Sequence, residues 1–587
     1  MISDKIEKLI KSTIKNLYDF DIPKIELAPT IRLEHGDYAT NMAFLLAKKL
    51  KKSPLDISQE LVNVLTKIKP AELEKVEAAG GFINFFLSQK YLFKKAQKIV
   101  AKKDQDNELS LYRGQKIMVE YAHPNTHKEM HVGHLRTLLI GESLSRIFEY
   151  LGAKVFRANY QGDIGLQVAK AIYGLQKILK KQSLTLEQIA KWNSVKKAHL
   201  LGQGYVLGNQ AFETLEKEKI ELINSQIYTN DPKLSQIYQK TRQWSLEYFA
   251  DIYKRLGTHF DRLFFESQVA KKGKQLVEEN IPAIFEKSEG AVVFPGEKYG
   301  LHRRVFVTSA GNPTYEAKDL SLVLEENQAF AFDRCIHVVA NEQTDYFKVI
   351  FKAIIMVFPQ FKDKEFHLAM GMVNLIGRKI SSRTGELVTV DELLEEIKKE
   401  VQELIKGRSL AFDSGEAVEV IAQAAVKYAY LKVDPIKNLA FDVKQSISLD
   451  GESGPYLQYT FARIYSLLQK AKDGGLNWSE ELNFLETDKV NLENETLLVL
   501  RQLERFNNIV YEGAKSLNPS IIASYLFDLS QGFNNFYNQI PILRGLANLS
   551  DELNGENLQT KLLAVEATGK VLEQGLNLLG INVLNKM

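Results

Sequence analysis

Two histidines and a glycine in the run His131-Val132-Gly133-His134 have the types and spacing to handle a phosphate. The run follows a short apolar stretch, Lys116–Tyr121 (KIMVEY), and a loop containing Pro124. A helical pattern (HLRTLLIGESLSRIFEYLG) starts near His134. A helix N-terminus offers free N–H groups and a partial positive charge to an anion. Gly133 lets a flat ring or a phosphate approach the backbone, and His131 and His134 can donate hydrogen bonds to phosphate oxygens as charge builds there. Taken alone, the run fits two surface histidines near a turn equally well.

A second motif, Arg378-Lys379-Ile380-Ser381-Ser382-Arg383-Thr384-Gly385, is a basic loop rich in small residues after the strand-like Glu365–Met370. Such a loop can close over a triphosphate and neutralise transferred charge; a solvated basic loop is the plain alternative. A third constellation is acidic. Glu120 ends the first apolar run and Asn125 lies five residues on; Tyr315 and Asp319 are four apart in GNPTYEAKDLS, and Gln343 lies in VVANEQTDYF. Helical spacing puts Tyr315 and Asp319 on one face. Two carboxylates, an amide and a phenol can line a pocket for a cation, and a guanidinium fork fits paired carboxylates. Separate caps and surface groups would look the same by residue type.

The elements that must place these groups are legible in outline. Strand, helix and strand over Lys116–Tyr160 predict a crossover unit in a parallel sheet. Residues about 175–280 are mostly helical and charged and look like an insertion. Strand-like pieces return at Ala291–Phe294, Arg304–Thr308, Cys335–Ala340 and Glu365–Met370, and from about residue 408 the pattern is helical. Near the start, Asp56–Ile68 is amphipathic, Gly81–Leu87 reads as a strand, and Lys102–Asn107 is a polar linker. The expected fold is therefore multidomain, α/β plus all-α. It has a small α/β domain at 1–105, a Rossmann-like parallel-sheet domain with a helical insertion at 106–407, and a helical bundle at 408–587.

Composition sets outer limits. At 587 residues the chain exceeds one hydrophobic core. Its 45 % hydrophobic and 25 % charged residues are ordinary for a soluble globular protein. No apolar run is long enough to predict a membrane span, and the charged N-terminus does not read as a signal peptide. One cysteine, Cys335, excludes an internal disulfide and a zinc site built on several thiolates; no metal ligands are expected, and a reducing compartment is the natural inference, with a cysteine-poor secreted protein as the alternative. The net charge is +3, with 15 Lys/Arg against 22 Asp/Glu from Ala411 onward, a balance of −7 that leaves +10 for the rest. Any nucleic-acid partner would have to use local basic patches.

Several stretches resemble the arginyl-tRNA synthetases, a class I family. They are VEYAHPNTHKEMHVGHLRTLLIGESLSRIFEYLG, NYQGDIGLQ, FDRLFFES, GNPTYEAKDLS, HLAMGMVNLIGRKISSRTGE, SLDGESGPYLQYTFARI and GLNLLGINVLNKM, with HGDYATNMAFLLAKKL and GGFINFFL near the start. The likeness spans nearly the whole chain. It implies a cytoplasmic, monomeric enzyme that activates L-arginine with ATP and Mg²⁺, without zinc, and passes it to tRNA(Arg). It also implies that tRNA is bound before the first step proceeds efficiently.

By the same resemblance, Glu120, Asn125, Tyr315, Asp319 and Gln343 would hold arginine, with Asn125 near its α-amino end. His131, Gly133 and His134 would bind ATP, and Lys379, Ser381, Ser382 and Arg383 would cover its phosphates. Asn41 would lie near the tRNA elbow, and Tyr456, Tyr459 and Arg463 are candidates for the anticodon surface. Two departures from the family pattern stand out. Ser382 occupies the place of a second loop lysine, a charge that Lys128 could supply from the other side, and His123 replaces a usual serine. Two other readings of the residues are an adenylate-forming nucleotidyltransferase and an inactive paralogue that binds RNA or a partner.

Overall fold

The computed structural model describes residues 1–587 except 31, 102–109, 215, 377–387, 408–414, 477, 479–491, 541 and 543–551. The expected linker Lys102–Asn107 and the basic loop Lys379–Arg383 lie outside the described residues. No helix among the described residues is long and apolar enough to cross a membrane.

The N-terminal unit is a four-stranded antiparallel sheet in the order Ala28–Pro29, Tyr38–Thr40, Phe82–Leu87, Leu73–Ala79. The helix Pro54–Ile68 begins where it does because the Ser53 hydroxyl accepts the Asp56 N–H at 3.1 Å and Pro54 needs no N–H partner. It buries Ile57, Leu61 and Leu65, each four residues from the last.

The centre is a five-stranded, all-parallel sheet: β1 (Lys116–Glu120), β2 (Lys154–Gln161), β3 (Arg262–Phe265), β4 (Arg334–Ala340) and β5 (Glu365–Met370), in spatial order β5-β4-β1-β2-β3. That order runs outward in both directions from β1, and the gap between β1 and β4 is where such sheets open a crevice at the carboxyl ends of their strands. Glu120, the last residue of β1, pairs in register with His337 of β4.

The helical insertion runs from Leu166 to Leu256. It ends earlier than the 280 expected, because Arg262–Phe265 returns to the sheet edge beside β2. Four residues, all at least partly apolar along their length, show too little alternation to mark a strand. Ala291–Phe294 and Arg304–Val307 join Glu286–Ser288 in a separate antiparallel sheet. Among its described residues the last third is helical, apart from the strand Leu439–Phe441, which pairs in parallel with Val373–Leu375.

Polar contacts tie the two outer units to each other, tie the C-terminal unit to the centre, and brace the C-terminal unit internally. Tyr38 donates to Glu504 at 2.8 Å, and Arg501 pairs with Asp37. Ser143, on the helix Val132–Tyr150, donates to Leu578 O at 2.9 Å, and Lys427 donates to Gly580 O at 2.6 Å. Arg136 on the same helix sends its guanidinium to five carbonyls, those of Gly371, Met372, Asp434, Pro435 and Lys437. One buried cation so fixes the histidine-motif helix to two separate chain segments.

Candidate functional site

The loop between β1 and the helix Val132–Tyr150 is built under strain. Ala122, His123 and His127 all have positive φ (77°, 49° and 65°), unusual for side chains with a Cβ. The helical insertion holds the loop there. The His127 N–H donates to Ser245 Oγ at 2.9 Å, and its ring bonds Thr126 and Thr241 at 2.9 and 2.8 Å. Burial keeps that ring neutral, with a pKa of about 3.

The loop delivers His131 as the N-cap of the helix. Its Nδ1 accepts the Gly133 N–H at 3.0 Å, while His134 Nδ1 accepts the His131 N–H at 3.2 Å. The two rings lie 3.8 Å apart. Burial, and then the charge of Lys128, lowers His131 to about 4; burial and His131 hold His134 well below its usual value. Both rings are therefore neutral near pH 7. With each Nδ1 accepting, the ring proton sits on Nε2, so both histidines are donors without charge. Lys128 lies 3.8 Å over the Tyr205 ring of the insertion, and burial lowers it to about 8.

Beside this edge a cavity of about 360 Å³ opens at the β1–β4 crevice. All five residues expected to hold a cation, Glu120, Asn125, Tyr315, Asp319 and Gln343, line it. Tyr315 and Asp319 share one face of the helix Tyr315–Ala329, as their spacing predicts. Gly162 leaves room at the wall: a Cβ there would stand 2.1 Å from Asn125 Oδ1 and 3.0 Å from Glu266 Oε1.

The two carboxylates expected to form a fork each have a prior partner, which the sequence reading did not foresee. Asp319 Oδ2 accepts the Tyr346 hydroxyl at 2.7 Å, and Oδ1 has no partner among the described residues. Burial, reinforced by Glu120, raises Asp319 to about 8. Glu120 Oε1 takes His337 Nδ1 at 2.9 Å, and His337 Nε2 meets Glu365 Oε2 at 2.7 Å. Glu326 is pushed well up by burial and by the charge of Glu120, and so keeps its proton. Against the cost of burial, His337 and Glu326 hold Glu120 as an anion, well below the usual carboxylate range.

His337, Tyr346, Glu326, Glu365 and Gly162 thus belong to the site without having been expected. His337 lies in an otherwise apolar strand (CIHVVA), and only the strand register puts it beside Glu120. Cys335, His337 and Glu365 have donor atoms within 4.8 Å of one another, the type of set that binds a transition metal. Both ring nitrogens of His337 already face carboxylates, so an ion would have to displace one of those bonds.

The remaining candidates stand on other units. Tyr456, Tyr459 and Arg463 share one network: Arg463 donates to Asn534 Oδ1 at 2.6 Å and to Tyr459 OH at 3.2 Å, and Asn534 donates to Tyr456 OH at 2.9 Å. Asn41 caps the helix Met42–Leu50, and its buried Oδ1 has no partner among the described residues.

Family models match three stretches of the chain. Residues 95–443 match the catalytic domain of class I tRNA synthetases (R), 457–587 a DALR anticodon-binding domain, and 4–87 the arginyl-tRNA synthetase N-terminal domain. The chain is 32 % identical to a Treponema denticola protein named arginine–tRNA ligase, over 100 % of this chain and 98 % of the other. It is 31 % identical to one of the same name from Clostridium beijerinckii, over 99 % of each. Its structure matches that of the Thermus thermophilus arginyl-tRNA synthetase with a TM-score of 0.80 at 25 % identity, covering both chains fully. A Mycobacterium tuberculosis methionyl-tRNA synthetase shares the fold at a TM-score of 0.52 and 11 % identity, over 80 % of this chain and 91 % of that one.

Proposed function

The chain belongs to the arginyl-tRNA synthetase family, and from that premise we propose how its residues divide the ligation of arginine to tRNA. The enzyme is an arginine–tRNA ligase. The arginine carboxylate attacks the α-phosphorus of MgATP, giving arginyl-adenylate and pyrophosphate. A ribose hydroxyl of the terminal adenosine of tRNA(Arg), the 2′-OH by class, then attacks the adenylate carbonyl and expels AMP. No protein nucleophile is needed; position and charge do the work.

The crevice cavity is the arginine site in this reading. Asp319 and Tyr315 meet the guanidinium with Glu120 as the second carboxylate of the pocket, Gln343 completes that pocket, and Asn125 lies at the α-amino end. A planar fork satisfies a carboxylate in two bonds where an ammonium satisfies one, so lysine is the poorer ligand. His131 and His134 donate neutral Nε2–H groups to the α-phosphate region, and Gly133 admits the nucleotide. Lys128 supplies the cation that Ser382 does not, and Lys379, Ser381 and Arg383 cover the phosphates. The parts 1–105, 106–407 and 408–587 serve the tRNA elbow through Asn41, the chemistry, and the anticodon through Tyr456, Tyr459 and Arg463. The enzyme works as a monomer in the cytoplasm; light scattering at a mass near 66.7 kDa is the check on that state.

The observation that carries this reading is the convergence of Glu120, Asn125, Tyr315, Asp319 and Gln343 on one cavity beside the histidine edge. ATP–pyrophosphate exchange with each of the twenty amino acids, with and without tRNA, tests it. Exchange with arginine alone, dependent on tRNA, is expected. Exchange without tRNA would remove the coupling and leave the ligase; no exchange with arginine in either condition would overturn the reading.

A further inference from the structure

His337 is an ionisable group of the cavity that the reaction does not use directly. It sits in the middle of a straight chain of bonds, Glu365 Oε2 to Nε2 at 2.7 Å and Nδ1 to Glu120 Oε1 at 2.9 Å. The three residues come from β5, β4 and β1, which lie side by side. The chain therefore runs across the sheet, on backbone that has little freedom to move. Phe347 and Phe351 flank the ring at centroid distances of 5.4 and 5.7 Å. The side chains of His337, Glu120 and Glu365 are 9 %, 4 % and 2 % exposed, so water offers no substitute for either bond.

We propose that His337 is a positioning residue for arginine recognition: Glu365 anchors its ring, and the ring in turn fixes the orientation of the Glu120 carboxylate that receives the substrate. The proposal rests on the assignment of the cavity to arginine. A carboxylate on a single-bonded stem rotates freely unless one oxygen is tied, and a rotating acceptor recognises a cation poorly. His337 ties Oε1. The same bond keeps Glu120 charged against the cost of its burial. Two further ionisable groups near the ring are Cys335, which burial pushes up to about 12, and His123, 3.8 Å from Glu120 and lowered by burial. Neither has a bond to Glu120 that could replace that of His337.

Full-length enzyme with tRNA, assayed by arginine-dependent pyrophosphate exchange, separates this role from simple packing. His337→Leu removes both bonds and raises the arginine KM roughly a hundredfold, with kcat and the ATP KM little changed. His337→Asn presents an amide N–H in place of Nδ1–H and restores the arginine KM to within about fivefold of wild type. Glu365→Gln, near-isosteric and safe for folding, raises it about fivefold. In the Glu120→Gln background, His337→Leu adds no further loss, because its effect passes through Glu120. Equal losses for Leu and Asn, an ATP KM that rises with the arginine KM, or full additivity with Glu120→Gln would each overturn the proposal. Wild-type enzyme without arginine-dependent exchange would instead overturn the assignment of the cavity, which keeps the two failures distinct.

Discussion

The carboxylate cavity and the histidine edge stand on either side of one strained loop, and burial acts on them in opposite chemical senses. In the cavity, burial raises Asp319 to about 8, so that carboxyl holds its proton near pH 7. At the edge, burial lowers His131 to about 4 and His134 further, so two potential cations are stored as neutral donors. Desolvation disfavours whichever form is charged. In the proposed reading a cationic ligand restores the charge of Asp319, and the edge offers hydrogen bonds that need none. The lesson is that one desolvated crevice can recognise a cation and a polyanion without wasting either charge on the other.

Substitutions can break that division, the largest effect first. Asp319→Ala leaves the guanidinium without its carboxylate and lowers kcat/KM for arginine by roughly 10³-fold. Exchange kinetics should show the ATP KM unchanged; near-normal arginine kinetics would remove Asp319 from the pocket. His134→Ala is expected to lower kcat about 10²-fold by deleting a donor to the transition state, while equilibrium binding of arginine holds. A loss of arginine affinity in that variant would show that the two regions are not separate. Gly162→Ala pushes a methyl against Asn125 and raises the arginine KM about tenfold with the ATP KM unmoved. The smallest effect needs no mutation. Asp319 binds arginine as the anion, so affinity falls as pH drops through 8, by about fivefold between pH 8 and 7. A flat arginine affinity over that interval would contradict the raised pKa.

The two regions also differ in how far the sequence exposes them. The histidine edge is local: His131, Gly133 and His134 are consecutive or nearly so, and a strand–loop–helix pattern places them without tertiary knowledge. Tyr315 and Asp319 were legible for a similar reason, because helical spacing puts them on one face. His337, Glu365 and Tyr346 were not. Each becomes a pocket residue only through strand register or helix packing, and a histidine inside CIHVVA looks like a tolerated interruption of an apolar run. The same limit hid β3, since four residues of RLFF carry no period. The partners of Arg136 were beyond reach too, because five carbonyls from two distant segments leave no mark in residue types. Side-chain chemistry close in sequence was readable; chemistry assembled across strands was not.

The contrast between the regions is measured most directly as protons exchanged with solvent. Lys128, lowered to about 8, should regain its proton when a triphosphate arrives, whereas Asp319 must lose its own when arginine binds. Titration calorimetry at pH 8, repeated in buffers of different ionisation enthalpy, counts both. The account predicts release of about half a proton on arginine binding and uptake of about half a proton on MgATP binding. Arginine binding with no release, or release by both ligands, would contradict it.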